Sequence, residues 1–231
     1  IFNLKNKIFL YKSANKYRVQ ACKNYNANIS FTVAEKAFDE VKDAEKQGYK
    51  FVHPFDGPHT LQGSATLGLE IIDQINDMDT KIDNVLISVG GGGLISGVGA
   101  VLKQIFPNIN IIGIEPDEAK GITDSLKSNQ PLQKVYINSI ADSLCAPIHM
   151  PYSFSIAKQV IDEMFNITDK DMSEAMLFAY NQLKLFLEPA CVAGFAALKK
   201  FQNKNFKGQN TLILLCGSNI DFQSWNSIVN H

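Results

Sequence analysis

The sequence predicts an α/β fold with parallel sheets flanked by helices, and three observations predict it. Strand and helix signals alternate along the chain. The run Asn84 to Val89 is apolar without polar alternation, as expected of a strand buried on both faces. Four glycines, Gly90 to Gly93, then separate that strand from a helix.

Each element has its own warrant. Lys7 to Tyr11 is a short apolar run typical of a strand. Tyr17 to Asn24 reads as a short polar-faced helix, and Asn28 to Thr32 as the next strand. Ala34 to Gln47 is charged and amphipathic, with Gly48 as its C-terminal stop. Lys50 to Val52 reads as a strand broken by Pro54, and Gly57-Pro58 marks a loop. Thr66 to Ile75 is a helix. Leu94 to Ile105 is the helix after the glycines, and Ile109 to Glu115 is a second buried strand. Ser153 to Glu163, Asp169 to Leu187 and Cys191 to Phe201 read as helices, and Thr211 to Leu215 as the last strand.

Composition narrows the class of partner. At 231 residues and 45% hydrophobic content, the chain can bury a sizeable core. Lys+Arg number 22 against 23 Asp+Glu, so no basic stripe for nucleic acid is expected. Apolar stretches such as Thr211 to Cys216 are too short to span a bilayer. No basic segment followed by an apolar one suggests a secretory signal. Cys22, Cys145, Cys191 and Cys216 have neither zinc spacing nor the density of a disulfide scaffold, so a reducing, cytoplasmic compartment is expected. His53, His59 and His149 form no metal spacing and are read as loop residues without a catalytic role.

The glycines carry the chemistry. Without Cβ atoms the backbone can take positive φ and approach a ligand closely. Its N–H groups and the positive end of the following helix then favour an anion, and a phosphate is the obvious one. A plain strand-to-helix turn is the alternative, but four glycines cost backbone entropy that such a turn does not need. No Lys follows the glycines, which argues against a nucleoside triphosphate site. Glu115 ends the next strand where a ribose-binding acid sits in dinucleotide folds, which leaves a nicotinamide enzyme as a competing reading.

Ser88 to Leu94 resembles the tetraglycine loop of the pyridoxal-phosphate-dependent serine/threonine dehydratase family, which includes serine racemase. Further segments are similar in family order. They are Phe51 to Asp56 with Gly63 and Thr66 to Glu70, Ile112 to Pro116, Ser139 to Asp142, Leu187 to Ala190, and Leu215 to Asp221. The resemblance implies a fold-type-II (tryptophan synthase β-like) enzyme with a smaller domain inserted in a larger one. Residues 1–53 are then the remainder of the small domain, and 54–231 the large cofactor-binding domain.

The resemblance also implies roles. Gly90, Gly91, Gly92, Gly93 and the backbone of Leu94 bind the phosphate of pyridoxal 5′-phosphate. Cys216 stands where the family places a Ser or Cys against the pyridine nitrogen. A neutral thiol does not hold that nitrogen protonated, which suits β-elimination better than transamination. Read by itself, Cys216 is a small buried residue at a strand end. Glu188 matches a carboxylate beside the cofactor, or else compensates a helix N-terminus next to Pro189. Some relatives bind Mg²⁺ or Ca²⁺ through an acid at Glu115, a backbone oxygen near Ala119 and an acid two residues later. Here that last position is Gly121, and a solvated acidic loop is the competing reading.

Three departures matter. The family's N-terminal segment, with its Schiff-base Lys and its Ser-x-Gly-Asn-His stretch, has no counterpart here. No residue of this chain is therefore assigned as catalytic, and an incomplete chain is expected. Lys16, in Ser13 to Arg18, has the wrong spacing and setting and is read as an exposed Lys. Gln62 to Thr66 replaces the usual Gly-Gln-Gly-Thr, and Ser143 replaces a Gly. The activity implied is deamination of L-threonine or L-serine to a 2-oxo acid and ammonia. Serine racemisation, or a catalytically inactive chain, are the alternatives. The partners implied are a small amino-acid substrate and further copies in a homodimer or homotetramer, with neither nucleic acid nor membrane.

Overall fold

The computed structural model describes residues 4–12, 14–78, 80–201 and 206–230. These residues form two compact units. One runs through Val52 and includes Asn219–Phe222; the other is His53–Ser218 with the stretch from Gln223. Ser13, in the stretch compared above with the family's lysine motif, lies outside the described residues.

In the first unit, β1 (Ile8–Tyr11) pairs in parallel with β2 (Ile29–Thr32), with Ile8 opposite Ile29. The crossover between them is α1 (Lys16–Asn24). Its N-terminus is capped by Asn15, whose side-chain oxygen accepts from Tyr17 N–H at 2.8 Å. The charged, amphipathic helix α2 (Ala34–Lys46) follows. The expected strand at Lys50 to Val52 does not form; the segment is irregular. It is three residues long and soon meets Pro54, which has no N–H to continue a ladder.

The second unit holds a four-stranded parallel sheet in the order β5-β4-β3-β6. Its strands are β3 (Asn84–Ser88), β4 (Asn110–Pro116), β5 (Glu163–Ile167) and β6 (Thr211–Ile213). All five residues of β3 are buried, which explains the unbroken apolar run. Val85 and Ile87 join one hydrophobic core with Ile71 and Ile75 of α3 (Pro58–Asp77) and Ile95, Val98 and Leu102 of α4 (Gly93–Ile105). Leu86 points to the opposite face by strand alternation and is also fully buried. Gly99 of α4 sits against Val160 of α6 (Pro151–Val160), at 2.8 Å from where a Cβ would stand.

Several boundaries differ from expectation for identifiable reasons. Helix α3 starts at Pro58, eight residues before Thr66, because proline is tolerated in a first helical turn. The expected helix Ser153 to Glu163 ends at Val160, and Glu163 opens β5. Between them the Asp162 carboxylate accepts from Ile111 N–H at 2.7 Å and pairs with Lys103 at 2.6 Å, which fixes the chain at the sheet edge. Helix α5 (Gly121–Ser128) and helix α9 (Phe222–Val229), eight residues each, were not anticipated. The helix expected over Asp169 to Leu187 is α7 (Asp169–Phe178), closed by a π-turn over Ala179–Leu183 and by Lys184 in the left-handed region. Its start carries a capping box between Thr168 and Asp171. Helix α8 (Ala193–Lys200) begins two residues after Cys191. Among the described residues no helix is long and apolar enough to cross a membrane.

Candidate active site

The glycine run leaves the carboxyl end of β3, the strand flanked by β4 and β6. Ligands in open parallel sheets bind at that end. Two bonds set the departure: Val89 N–H donates to Ile114 O at 2.8 Å, and the buried Ser88 hydroxyl donates to Ala190 O at 2.7 Å. Gly92 then takes φ 89°, ψ −6° and serves as the N-cap of α4, a left-handed conformation that L side chains rarely adopt. Ser96 N–H is bonded to Gly92 O at 3.0 Å. The N–H groups of Gly93, Leu94 and Ile95 precede that bond and have no partner within the helix. They lie at the positive end of a 13-residue helix, so they could hold an anion.

The glycines have a second cause. A Cβ on Gly91 would overlap the ring of Phe55, and one on Gly93 would stand 2.8 Å from Phe55 Cα. On Gly90 it would stand 3.1 Å from Ser143 O. The Ser64 hydroxyl closes the far side by donating to Gly93 O at 2.9 Å. Three of the four glycines thus answer close protein neighbours as well as any ligand. Ser64, one of the departures from the family pattern, touches the loop directly.

From Ser143, beside Gly90, contacts lead to the other two expected residues. The Ser143 hydroxyl donates to Glu188 Oε1 at 3.4 Å. Glu188 is 8% exposed, and its carboxylate lies where a Cβ on Gly217 would stand. Gly217 follows Cys216, just beyond β6. The fold therefore gathers the glycine loop, Glu188 and Cys216 on one side of the sheet's carboxyl end. Glu188 is not at a helix start, since α8 begins at Ala193. Pro189 disfavours helical backbone at the residue before it, so the dipole-compensating role for Glu188 fails. Cys216 is exposed rather than a buried strand-end residue. Its thiol is nonetheless pushed up, first by desolvation among protein atoms, then by Cys191 and Glu188. It is neutral at ordinary pH.

The other expected residues do not join this site. Lys16 is exposed at the first position of α1. His59 lies in α3, not in a loop, because that helix starts at Pro58. His53 is in the loop before α3, where its Nδ1 accepts from Phe55 N–H at 3.3 Å.

Glu115 is fully buried and turned into the fold. It accepts from Ile122 N–H (2.7 Å), Thr123 N–H (2.9 Å) and the Thr123 hydroxyl (2.7 Å), so it serves the first turn of α5. Desolvation pushes its pKa up to about 7 despite these bonds. A carboxylate so occupied reaches neither a ribose nor a cation, and the nicotinamide reading loses its acid. In the 3₁₀ turn that follows (Asp117–Ala119), Glu118 is exposed and Asp117 half-buried, so its acidic side chains face solvent while Ala119 is buried. At Gly121, where the metal-binding pattern wants an acid, the imidazole Nε2 of His149 fills the space of a side chain. These residues do not fit Mg²⁺ or Ca²⁺, and among the described residues no group of three or more His, Cys, Asp or Glu could hold a metal ion. The loop, Glu188 and Cys216 do fit pyridoxal phosphate, with an anion cradle at one end and a carboxylate and a neutral thiol near the other.

A parallel α/β unit with a glycine loop at its strands' carboxyl ends is the class that fold and site define. The chain belongs to the family described as pyridoxal-phosphate dependent enzymes, matched over residues 1–217. It is 36% identical over 217 residues to phenylserine dehydratase of Ralstonia pickettii, covering 93% of this chain and 65% of that protein. It is 30% identical over 235 residues to L-threonine ammonia-lyase of Thermotoga maritima, covering 100% of this chain and 57% of that protein. The chain thus spans roughly three fifths of the length of these curated relatives. Among solved structures, a threonine deaminase from T.th. matches with a TM-score of 0.88 at 25% identity, over 95% of this chain and 71% of that one. Maize serine racemase matches at 0.84 and 27%, over 97% and 69%.

Proposed function

We propose that the chain is the cofactor-binding part of an ammonia-lyase that converts L-threonine or L-serine to a 2-oxo acid and ammonia. The observation that carries this is the convergence of the glycine loop, Glu188 and Cys216 at the carboxyl end of β3. The relatives support it, since phenylserine dehydratase and L-threonine ammonia-lyase are named for β-hydroxy amino acids. On this reading the unit through Val52 belongs to a smaller domain, and the unit from His53 to the larger, cofactor-binding one.

Pyridoxal phosphate, when bound, supplies the electron sink that eases loss of the Cα proton and of the β-hydroxyl. The chain's own groups bind and orient it. The N–H groups of Gly93 and Leu94, with the backbone of Gly90 to Gly92, hold the phosphate. The Ser64 bond to Gly93 O keeps that backbone in place. The Cys216 thiol stays neutral beside the pyridine nitrogen and does not fix a proton there. The Glu188 carboxylate, steadied by Ser143, borders the ring. Racemisation at the same site is a second reading, favoured by the likeness to maize serine racemase.

Pyridoxal phosphate and unphosphorylated pyridoxal, titrated into the purified chain, test the cradle. The phosphate form should bind at least about tenfold more tightly, the worth of roughly one charge-assisted contact. Equal affinities would remove the cradle from the reading. Assays of 2-oxo acid release from L-threonine and L-serine, against chiral analysis of the remaining amino acid, separate lyase from racemase.

A further inference from the structure

Cys191 and Cys216 are both free, and the segments that carry them lie side by side. Glu188 N–H reaches Gly217 O at 3.5 Å, and Cys191 N–H reaches Glu188 O at 3.1 Å. Burial pushes the Cys191 thiol up, and the nearby backbone N–H groups of Gly217 and Cys216 partly offset that. One sulfur therefore rests against the backbone that bears the other. The surrounding fold holds this arrangement. Gly194, in the first turn of α8, packs against the Ile213 side chain of β6. The Ser88 hydroxyl ties down Ala190 at 2.7 Å. Exposure is divided: Cys191 is 1% exposed, while Cys216 is open to solvent. The remaining two cysteines are elsewhere. Cys22 is in α1, and Cys145 lies beside Ser139 O.

We propose that Cys191 and Cys216 form a redox pair that closes to an intrachain disulfide. The oxidant is a low-molecular-weight disulfide of the glutathione class. Cys216 loses its proton to solvent in the small fraction of molecules that react, and that thiolate attacks the S–S bond and expels one thiol, leaving a mixed disulfide on Cys216. The Cys191 thiolate then attacks the Cys216 sulfur and expels the second thiol. Two S–H bonds are lost and one S–S bond forms, while the oxidant's S–S bond is reduced to two thiols. A disulfide spans Cα atoms about 4.4–6.8 Å apart, a reach that suits a sulfur already lying against its partner's backbone.

The consequence rests on the proposed function. A Cys216 sulfur bonded to Cys191 no longer faces the pyridine nitrogen. Cofactor affinity should fall about tenfold, the scale of one lost polar contact, and a reductant should restore it.

The test treats the folded chain with oxidised glutathione, unfolds it and counts thiols. Four free thiols should become two, a digest should yield the Cys191–Cys216 peptide pair, and dithiothreitol should restore all four. In Cys191→Ser the mixed disulfide on Cys216 should be trapped, seen as the added mass of one glutathione. Retention of all four thiols, or a cross-link through Cys22 or Cys145, overturns the pair. A parallel pyridoxal phosphate titration keeps the two ideas apart. If the disulfide forms and cofactor affinity does not change, the redox pair stands and the placement of Cys216 against the cofactor ring falls.

Discussion

Two buried ionisable residues pull stability in opposite directions. Burial raises Glu115 from 4.5 to about 7, so below that value the folded chain keeps a proton that the unfolded chain releases. Its contribution is complete at low pH and is lost as pH rises through the interval. Burial lowers His149 from 6.5 to about 4, so there the unfolded chain holds the extra proton. That contribution is complete above 6.5 and is lost as pH falls toward 4. Across pH 4.5 to 6.5 the two slopes oppose each other. In Glu115→Gln only the histidine slope remains, and urea midpoints should rise with pH relative to the parent. In His149→Leu they should fall. Each effect is about 3 kcal/mol over its window. Glu115→Gln also turns an amide donor toward three donors, costing about 1–3 kcal/mol at every pH. Profiles parallel to the parent in both variants would show that neither group changes protonation on folding. At Gly92, φ 89° makes Gly92→Ala cost about 1–2 kcal/mol of stability, measurable by the same denaturation.

At the scale of elements, the glycine loop and α4 are set by their fit to Phe55 as much as by anion chemistry. Gly91→Ala should cost about 1–3 kcal/mol, because its methyl overlaps the Phe55 ring. Combined with Phe55→Ala the loss should be less than additive, since the smaller side chain leaves room for the methyl. A double-mutant cycle by chemical denaturation measures this, and strict additivity would refute the contact. Helix α7 depends on its capping box. Thr168→Ala should lower stability by about 1 kcal/mol, read from the same transition. Elements with strong periodic or buried patterns, β3, α4 and β4, were legible in the sequence to within a residue or two. The short strands β1, β2 and β6 were legible too, but β5, α5 and α9 were not. β5 has five residues with a half-exposed pattern, and α5 has eight. Their positions depend on neighbours, through the Asp162 carboxylate on Ile111 and the Glu115 carboxylate on Ile122 and Thr123.

For the whole molecule, ligand binding should appear as stability. At a hundredfold excess over its dissociation constant, pyridoxal phosphate should add about 2.7 kcal/mol. Gly92→Asp, which sets a negative charge beside the cradle, should abolish the gain in a thermal shift. An undiminished shift in that variant would place the cofactor elsewhere.

By itself the sequence determined the parallel α/β class, the glycine loop between β3 and α4, and the resemblance to a pyridoxal-phosphate family. Each of these is written in consecutive residues, through the buried run of β3, the absence of four Cβ atoms and short motifs in order. Tertiary structure alone decided which distant residues meet. It brought Glu188 and Cys216 to the side of the loop at Gly90, and it set Cys191 against Cys216. It also withdrew Glu115 from ligand duty by burying its carboxylate under α5. The reason is physical. A loop's conformational needs are local, whereas the neighbours of a carboxylate or a thiol depend on how strands order in the sheet and on which helix packs across them.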